Sequence, residues 1–159
     1  MANEPTPRLR RASNKDREEV TRLVYGVLKE YGLEPDPGAT DADLADIERS
    51  YFAPGGAFFV LTDQDGLIIG AYGLYLIENQ TCELRKMYLH KSRSGKGLGK
   101  LLLDSALAEA RKLGFRRMTL ETASVLKEAI AMYESYGFAE YEPAHLSTRC
   151  DQAYFLQLR

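Results

Sequence analysis

The chain has 159 residues, 45% of them hydrophobic and 28% charged, which is typical of one domain with a full-sized hydrophobic core. Its formal net charge of -2 gives no general attraction to nucleic acid, so we expect any anion-binding site to be local. No apolar run is long enough for a signal peptide or a membrane span, which indicates a cytoplasmic protein with no membrane partner.

The N-terminal part predicts one strand followed by two helices. Residues 8–12 have the pattern of a strand, and Ser13 or Asn14 can cap the helix that follows. Apolar side chains spaced as one helical face form the core stripe of that helix: Val20, Leu23, Val24, Val27, Leu28 and Tyr31. A loop rich in proline then leads to a shorter helix over residues 41–51.

The middle of the chain predicts three strands rich in β-branched and aromatic residues, at 57–63, 67–78 and 81–90. Because their connections are short, we expect an antiparallel meander. The remaining segments are a helix at 98–113, a strand at 117–122, a helix at 125–136, and strands at 138–141 and 153–158.

These elements predict an α/β (α+β) protein. We expect a single domain over residues 8–159, preceded by a flexible segment at 1–7. Its centre is a mixed, mostly antiparallel sheet of about six or seven strands, flanked by four helices.

The two cysteines, Cys82 and Cys150, do not form a CxxC pair and predict free thiols, with neither a disulfide framework nor a metal site. A hydrolase that pairs Cys82 with His90 or His145 is disfavoured, because a strand position is typical of a buried structural thiol.

Three glycines, Gly95, Gly97 and Gly99, occupy every second position where a strand gives way to a helix. Lys96 lies between the first two glycines, and Lys100 follows the third. A turn without β-carbons lets backbone N–H groups converge on an anion at the positive end of the helix, and the lysines add charge. The turn therefore predicts phosphate or pyrophosphate binding; the alternative is an ordinary flexible glycine loop.

Two familiar nucleotide-binding loops do not fit this turn. A P-loop requires glycine where Ser94 stands and Ser or Thr where Leu101 stands. The dinucleotide fingerprint G-x-G-x-x-G also fails, because Gly99 comes one position too early.

The segments 83–90 and 94–102 together resemble the coenzyme A motif of the GNAT superfamily of N-acetyltransferases, whose pattern is (Gln/Arg)-x-x-Gly-x-(Gly/Ala) after a strand. Downstream, the segment 129–138, AIAMYESYGF, resembles the A-I-x-x-Y-x-x-x-G-F segment of that family. The resemblance covers residues 8–158 and implies the GNAT fold, with acetyl-CoA as co-substrate and an N-acetyltransferase activity.

This sequence departs from the family pattern at two positions. Ser94 stands where the motif normally has Gln or Arg, and Leu126 stands where the family often has Asn. We expect backbone amides to form most of the pyrophosphate cradle, with Arg93 or Lys96 replacing the lost polar contact.

The resemblance implies that the strand backbone at Met87, Tyr88 and Leu89 pairs with the pantetheine arm. It also implies that the pyrophosphate is held by the turn: Ser94, Gly95, Lys96, Gly97, Leu98, Gly99 and Lys100. A backbone N–H of residues 87–89 is then the expected donor to the oxyanion.

The same resemblance implies two catalytic residues. Glu83 matches the position of a base that accepts the proton of the amine; the alternative is a carboxylate on a solvated strand face or paired with Arg85, and Glu121 is the reserve candidate. Tyr133 matches a tyrosine beside the coenzyme sulfur; the alternative is a core tyrosine on a helical face.

The resemblance also implies that the acceptor lies between the first two helices and in the late hairpin, with Tyr51, Phe52 and Glu121 as candidate substrate contacts. Aspartates and glutamates of residues 34–46 attract a cationic amine or act as helix caps and solvated charges. His145 and Arg149 are surface residues or bind a carboxylate.

These features suggest a small-molecule amine or an amino-acid-like acceptor, attacked directly without a covalent enzyme intermediate. Two alternatives stay open, namely acetylation of a protein amino group and a non-catalytic acyl-CoA-binding module. A homodimer is compatible with the sequence.

Overall fold

A computed structural model describes residues 6–159, and within that range seven strands form one sheet. The strands are β1 Arg8–Arg11, β2 Ala57–Thr62, β3 Ile68–Glu78, β4 Thr81–Leu89, β5 Arg117–Thr122, β6 Ala139–Tyr141 and β7 Gln152–Gln157. The α-helices are α1 Arg17–Glu30, α2 Leu98–Lys112 and α3 Lys127–Ser135. Most of the segment predicted to be flexible, 1–7, lies outside the described residues.

The strands follow the order β1-β2-β3-β4-β5-β7-β6 across the sheet. The antiparallel meander from β2 to β4 is confirmed, and β1 pairs antiparallel with β2. The parallel pair is β4 with β5, and the late hairpin inserts β7 between β5 and β6. The prediction of a mixed, mostly antiparallel sheet of about six or seven strands is therefore confirmed.

The sheet separates two hydrophobic layers. On one side α1 buries Val20, Val24 and Leu28, as the helical stripe predicts. On the other side α2 packs Leu102 and Leu103 in a core that also includes Tyr133 of α3. In the part of the chain that is described, no helix has the length and apolarity needed to cross a membrane.

The start of α1 is organised by Ser13 and Asp16, which form a capping box around a 3₁₀ turn at Asn14–Asp16. At its other end, the prediction that Tyr31 belongs to the core stripe is wrong. Tyr31 is the residue after the last helical one, 39% exposed, and lines the cavity described below.

The continuous helix predicted for residues 41–51 is instead a 3₁₀ turn, Ala42–Ala45, and a π-helical turn, Glu48–Phe52. Asp46 separates the two turns with an extended backbone, φ -148° and ψ 87°. Its carboxylate accepts hydrogen bonds from the Asn14 side chain and the Arg49 amide, which is a typical capping arrangement. Aspartate's preference for caps over helix interiors explains the break.

The parallel pairing of β4 and β5 is short and ends at Glu83 and Thr119. Beyond that point the two strands have no paired residues, although both continue for several residues. The sheet therefore opens between the second half of β4 and the end of β5, and this gap positions the candidate site.

Candidate active site

A cavity of about 610 Å³ occupies the gap between β4 and β5. Its walls come from β4, the glycine turn, the end of β5, α3, and the loops around residues 39–40 and 145–150. The predicted site residues that line it are Glu83, Met87, Tyr88, Leu89, Ser94, Gly95, Gly99, Glu121 and Tyr133. Residues from four distant parts of the sequence thus meet around one space.

The glycine turn has the backbone that its sequence requires. Gly95 and Gly97 have φ values of 79° and 76°, in the left-handed region that glycine adopts readily, and Gly97 directly precedes α2. Within the described residues, the backbone amides of Gly95, Gly97, Leu98 and Gly99 donate no hydrogen bond. These donors and the positive end of α2 form an anion-binding arrangement.

The side chains around the turn are less available than the backbone. Ser94 donates its hydroxyl to the Lys91 carbonyl at 2.8 Å, and Arg93 donates to Asp63 Oδ2 at 3.0 Å. The guanidinium of Arg93 is therefore partly engaged by Asp63, and Arg93 is not among the residues that line the cavity, so the expectation that Arg93 or Lys96 replaces the lost phosphate contact stays a prediction. Lys91, which sequence analysis missed, lines the cavity; its position beside the glycine motif was the available signal.

The strand β4 carries an irregularity where it borders the cavity. Tyr88 lies opposite Ala71 and Arg85 opposite Gly73. Between these two pairs, β4 has two residues where β3 has one. This is a β-bulge, and it leaves Met87 without a residue partner in β3, while β5 has already separated. The backbone at Met87 is therefore open to a ligand that adds as a strand.

Glu83 borders the cavity with a side chain that is 15% exposed and bonded to Arg85. Burial raises the pKa of Glu83, the ion pair with Arg85 opposes that shift, and the charge of Glu121 adds to it. The guanidinium of Arg85 also stacks over the Tyr75 ring, 3.7 Å from its centroid. The ion pair with Arg85, one of the two expectations for Glu83, is therefore present, and the role of Glu83 as a base stays a prediction.

Glu121 lies on the same face of the sheet as Glu83, because Glu83 is opposite Thr119 and Glu121 follows two residues later. One carboxylate oxygen accepts hydrogen bonds from the Ser147 amide at 2.8 Å and its hydroxyl at 3.0 Å. Glu121 thus holds Ser147, whose loop lines this end of the cavity.

Tyr133 extends from α3 to the cavity and is 6% exposed. Its ring packs against Phe138 at 5.7 Å between centroids, and its hydroxyl makes no hydrogen bond within residues 6–159. Burial, followed by the neighbouring Tyr88, raises the pKa of Tyr133. The residue is at once a core tyrosine and part of the cavity wall.

Tyr51 and Phe52, predicted as substrate contacts, do not line the cavity. Tyr51 is fully buried and donates its hydroxyl to Asp43, and its ring meets the Phe58 and Tyr75 rings edge-on. Phe52 lies beneath the guanidinium of Arg11, 4.5 Å from its ring centroid. Both residues pack the fold, so we no longer expect them to touch substrate.

A buried cluster of four charged residues, Asp41, Asp43, Lys86 and Arg149, lies beside the cavity. Arg149 donates two hydrogen bonds of 2.7 Å to the Asp41 carboxylate, and Lys86 Nζ lies 3.2 Å from an oxygen of each aspartate. Burial raises the pKa of Asp41, but the hydrogen bonds from Arg149 and the Asp36 amide outweigh burial, so the pKa of Asp41 is lowered overall. The expectations that Arg149 is a surface residue or binds a carboxylate ligand are wrong.

The two thiols differ in position. Cys82 is fully buried in the core, where burial raises its pKa to about 12, as expected for a structural thiol. Cys150 lines the cavity next to Arg149, and burial raises its pKa as well. Neither thiol is activated as a nucleophile.

Comparison with known proteins agrees with the resemblance. The sequence pattern described as "Acetyltransferase (GNAT) family" matches residues 23–138. The uncharacterized N-acetyltransferase YjgM of Escherichia coli K12 is 40% identical over 144 residues, covering 87% of this chain and 86% of YjgM. An uncharacterized N-acetyltransferase of Schizosaccharomyces pombe is 30% identical over 130 residues, covering 81% of this chain and 80% of the relative.

Solved structures share the fold. An acetyltransferase of the GNAT family from Staphylococcus aureus Mu50 superposes with a TM-score of 0.90 at 22% identity, covering 97% of this chain and 100% of that chain. The protein yncA of Salmonella typhimurium, solved with its cofactor acetyl-CoA, superposes with a TM-score of 0.75 at 23% identity, covering 98% of this chain and 95% of yncA. The chain therefore belongs to the GNAT family and is an N-acetyltransferase.

Proposed function

We propose that the cavity binds acetyl-CoA and that the enzyme transfers the acetyl group directly to the primary amine of a small molecule or an amino-acid-like acceptor. The observation that carries the proposal is one continuous cavity. It joins the unbonded amides of the glycine turn to the gap in the sheet where Glu83 and Tyr133 both border the same space.

The glycine turn is suited to the pyrophosphate of the coenzyme. Backbone amides at Gly95, Gly97 and Leu98 supply donors, the N-terminus of α2 supplies positive potential, and Lys91 adds a charge at the cavity wall. The unpaired backbone at Met87 then receives the pantetheine arm and directs the thioester into the gap. A solved relative of the same fold, yncA, contains acetyl-CoA, which supports this assignment.

Glu83 is suited to accept a proton from the acceptor. In the reaction the amine nitrogen forms a bond to the thioester carbonyl carbon, the C–S bond breaks, and the nitrogen loses a proton. A free alkylamine has a pKa of about 10.4 and is mostly protonated at neutral pH, so a base is needed. The raised pKa of Glu83 makes this carboxylate a stronger base than an exposed glutamate.

Tyr133 is suited to stabilise the departing thiolate. Tyr133 lines the cavity, its hydroxyl has no hydrogen-bond partner within the described chain, and we expect this hydroxyl to donate a hydrogen bond to sulfur. A thiol of pKa about 8.5 is a stronger acid than a phenol of pKa about 10, so full proton transfer from the phenol is uphill. Burial raises the pKa of Tyr133 further, which favours hydrogen bonding over complete donation.

Contacts between the loops beside the cavity favour a small molecule over a protein segment. The loop with Asp41 and the loop with Arg149 come from opposite ends of the chain, and their bidentate ion pair joins them beside the cavity. Ser147 is fixed in the same way by Glu121. A wide groove for a polypeptide would require these contacts to break.

The first experiment measures acetyl-CoA binding by calorimetry and then thiol release across a panel of small amines, amino acids and lysine-containing peptides. We expect acetyl-CoA binding and release with one or more small amines. Release with peptides alone would support the protein-acetylating alternative. Absence of acetyl-CoA binding would overturn the assignment of the cavity.

A further inference from the structure

Lys86 occupies an unusual backbone position inside the β4 bulge. Its φ is 55°, in the left-handed region where a side chain with a β-carbon is disfavoured and where glycine or asparagine is usual. In the described strands, Lys86 also has no residue partner in β3, because the register passes from Arg85 to Tyr88 across the bulge. The ladder alone does not hold this conformation, so other contacts must do so.

The side chain of Lys86 supplies those contacts. It is 3% exposed, and its ammonium group donates to the Thr40 carbonyl at 3.1 Å and lies 3.2 Å from both Asp41 and Asp43. These three acceptors belong to one short segment on the α1 side of the sheet. The bulge is therefore anchored from outside the sheet by a single buried cation.

The charges around Lys86 balance, which makes the anchor specific. Asp41 also binds Arg149, and Asp43 also accepts the hydroxyl of Tyr51, so two cations face two carboxylates. A buried ammonium group is strongly destabilising without such partners, and so is a buried carboxylate. The arrangement thus fixes the position of Lys86 Nζ and, through its side chain, the backbone that carries it.

We propose that Lys86 is a positioning residue for acetyl transfer: its anchored side chain holds the β4 bulge and so sets the backbone of Met87 against the thioester. The proposal rests on acetyl-CoA occupying this cavity as described above. Met87 follows Lys86 directly, has no residue partner in either neighbouring strand and lines the cavity. A shift of the bulge therefore moves the acyl-binding backbone while leaving the glycine turn in place.

The test uses the full chain with Lys86→Met, which keeps an unbranched side chain and removes the charge. With the amine that the wild type uses fastest, we expect kcat to fall on the order of 10- to 100-fold, because small misplacements of reacting groups have such effects. The Kd for acetyl-CoA is expected to stay within about threefold, since the pyrophosphate contacts are at a separate site.

A double variant, Lys86→Met with Asp43→Asn, separates positioning from folding. It removes one positive and one negative charge, so we expect its Tm to lie above that of Lys86→Met and its kcat to remain low. Recovery of kcat together with Tm would overturn the proposal, and so would a folded variant with wild-type kcat. If Lys86→Met does not fold, the double variant is tested alone: a low kcat in the folded double variant supports the proposal, and a wild-type kcat overturns it.

The control is Lys112→Met, which removes an exposed lysine from the last turn of α2 and is expected to leave kcat and Kd unchanged. Wild-type measurements alone test whether acetyl-CoA binds and reacts. A failure of the proposed function is therefore distinct from a failure of the role of Lys86, which depends on the ratio of variant to wild type.

Discussion

At the scale of single residues, burial shifts the pKa values of Glu83 and Tyr133 in the same direction with different chemical consequences. For Glu83 burial is the leading cause and Arg85 opposes it, so the carboxylate becomes a better proton acceptor. For Tyr133 the raised pKa keeps the phenol protonated across the neutral range and preserves it as a hydrogen-bond donor. In the proposed reaction Glu83 accepts a proton from the amine, and Tyr133 donates a hydrogen bond to the departing sulfur without losing its proton.

We predict that Tyr133→Phe lowers kcat on the order of 10- to 100-fold while the Kd for acetyl-CoA stays nearly unchanged, because the lost hydroxyl is needed when the thiolate departs. The rate of thiol release gives kcat, and calorimetry gives the Kd for acetyl-CoA. Tyr141→Phe is the control, since Tyr141 lies outside the cavity lining. Equal kcat values for wild type and Tyr133→Phe would remove this hydroxyl from the mechanism.

We predict that Glu83→Gln lowers kcat/KM at pH 7 on the order of 100-fold, as loss of a general base does. In the wild type, kcat/KM should fall at acid pH with an apparent pKa above the ordinary glutamate value of about 4.3. In Glu83→Gln it should instead keep rising towards the pKa of the free amine, about 10.4.

The control for that pH profile is Glu78→Gln, at the exposed end of β3. It should retain the wild-type dependence of kcat/KM on pH. If Glu83→Gln also retained it, the role of Glu83 would be limited to its ion pair with Arg85.

At the scale of elements, the junction between the glycine turn and α2 combines a strained backbone with a binding task. We predict that Gly97→Ala costs about 1–2 kcal/mol of unfolding free energy, because φ at this position is 76°, although no atom obstructs a β-carbon there. We also expect acetyl-CoA affinity to fall roughly tenfold as the amides reorient. Urea unfolding and calorimetry measure these effects.

The matched control for this element is Gly26→Ala, in the interior of α1. A β-carbon at Gly26 also meets no atom, and its φ is not in the left-handed region. Alanine there should raise the unfolding free energy by about 0.5–1 kcal/mol. If Gly97→Ala and Gly26→Ala changed the unfolding free energy in the same way, the left-handed backbone at Gly97 would not be the cause of the predicted loss.

At the scale of the whole molecule, the ion pair of Asp41 and Arg149 joins residues 108 positions apart in the sequence. We predict that Arg149→Met lowers the unfolding free energy at pH 7 by about 3 kcal/mol, since it leaves a buried carboxylate short of a cation. Arg10→Met, which removes the 47% exposed partner of Asp16, should cost less than about 1 kcal/mol. Urea unfolding compares the two.

The pH dependence of that difference has a defined sign. The pKa of Asp41 is lower in the folded chain, so its contribution is full above the unfolded value of about 3.9 and is lost as the pH falls through the lower folded value. The stability gap between wild type and Arg149→Met should therefore shrink below about pH 4. A gap that stayed constant with pH would contradict the charged pair as its source.

Most of the fold and the position of the glycine motif could be predicted from the amino-acid sequence. Hydrophobic periodicity is a local property, so the strands of the meander and α1, α2 and α3 could be predicted to within a few residues. The glycine turn was also predictable, because left-handed backbone at Gly95 and Gly97 depends on the residue type itself. The segment at 41–51 was predicted less well, since its aspartates bind partners that lie far away in sequence.

Which side chains share the cavity depends on contacts between distant parts of the chain and could not be predicted. The separation of β4 from β5 after Glu83 and the bulge at Lys86 depend on strand register and on charges that meet across the fold. Tyr51, predicted as a substrate contact, is a core residue whose hydroxyl donates a hydrogen bond to Asp43. Arg149 is paired with Asp41, 108 positions away, and such long-range pairing of buried charges leaves no periodic trace in the sequence.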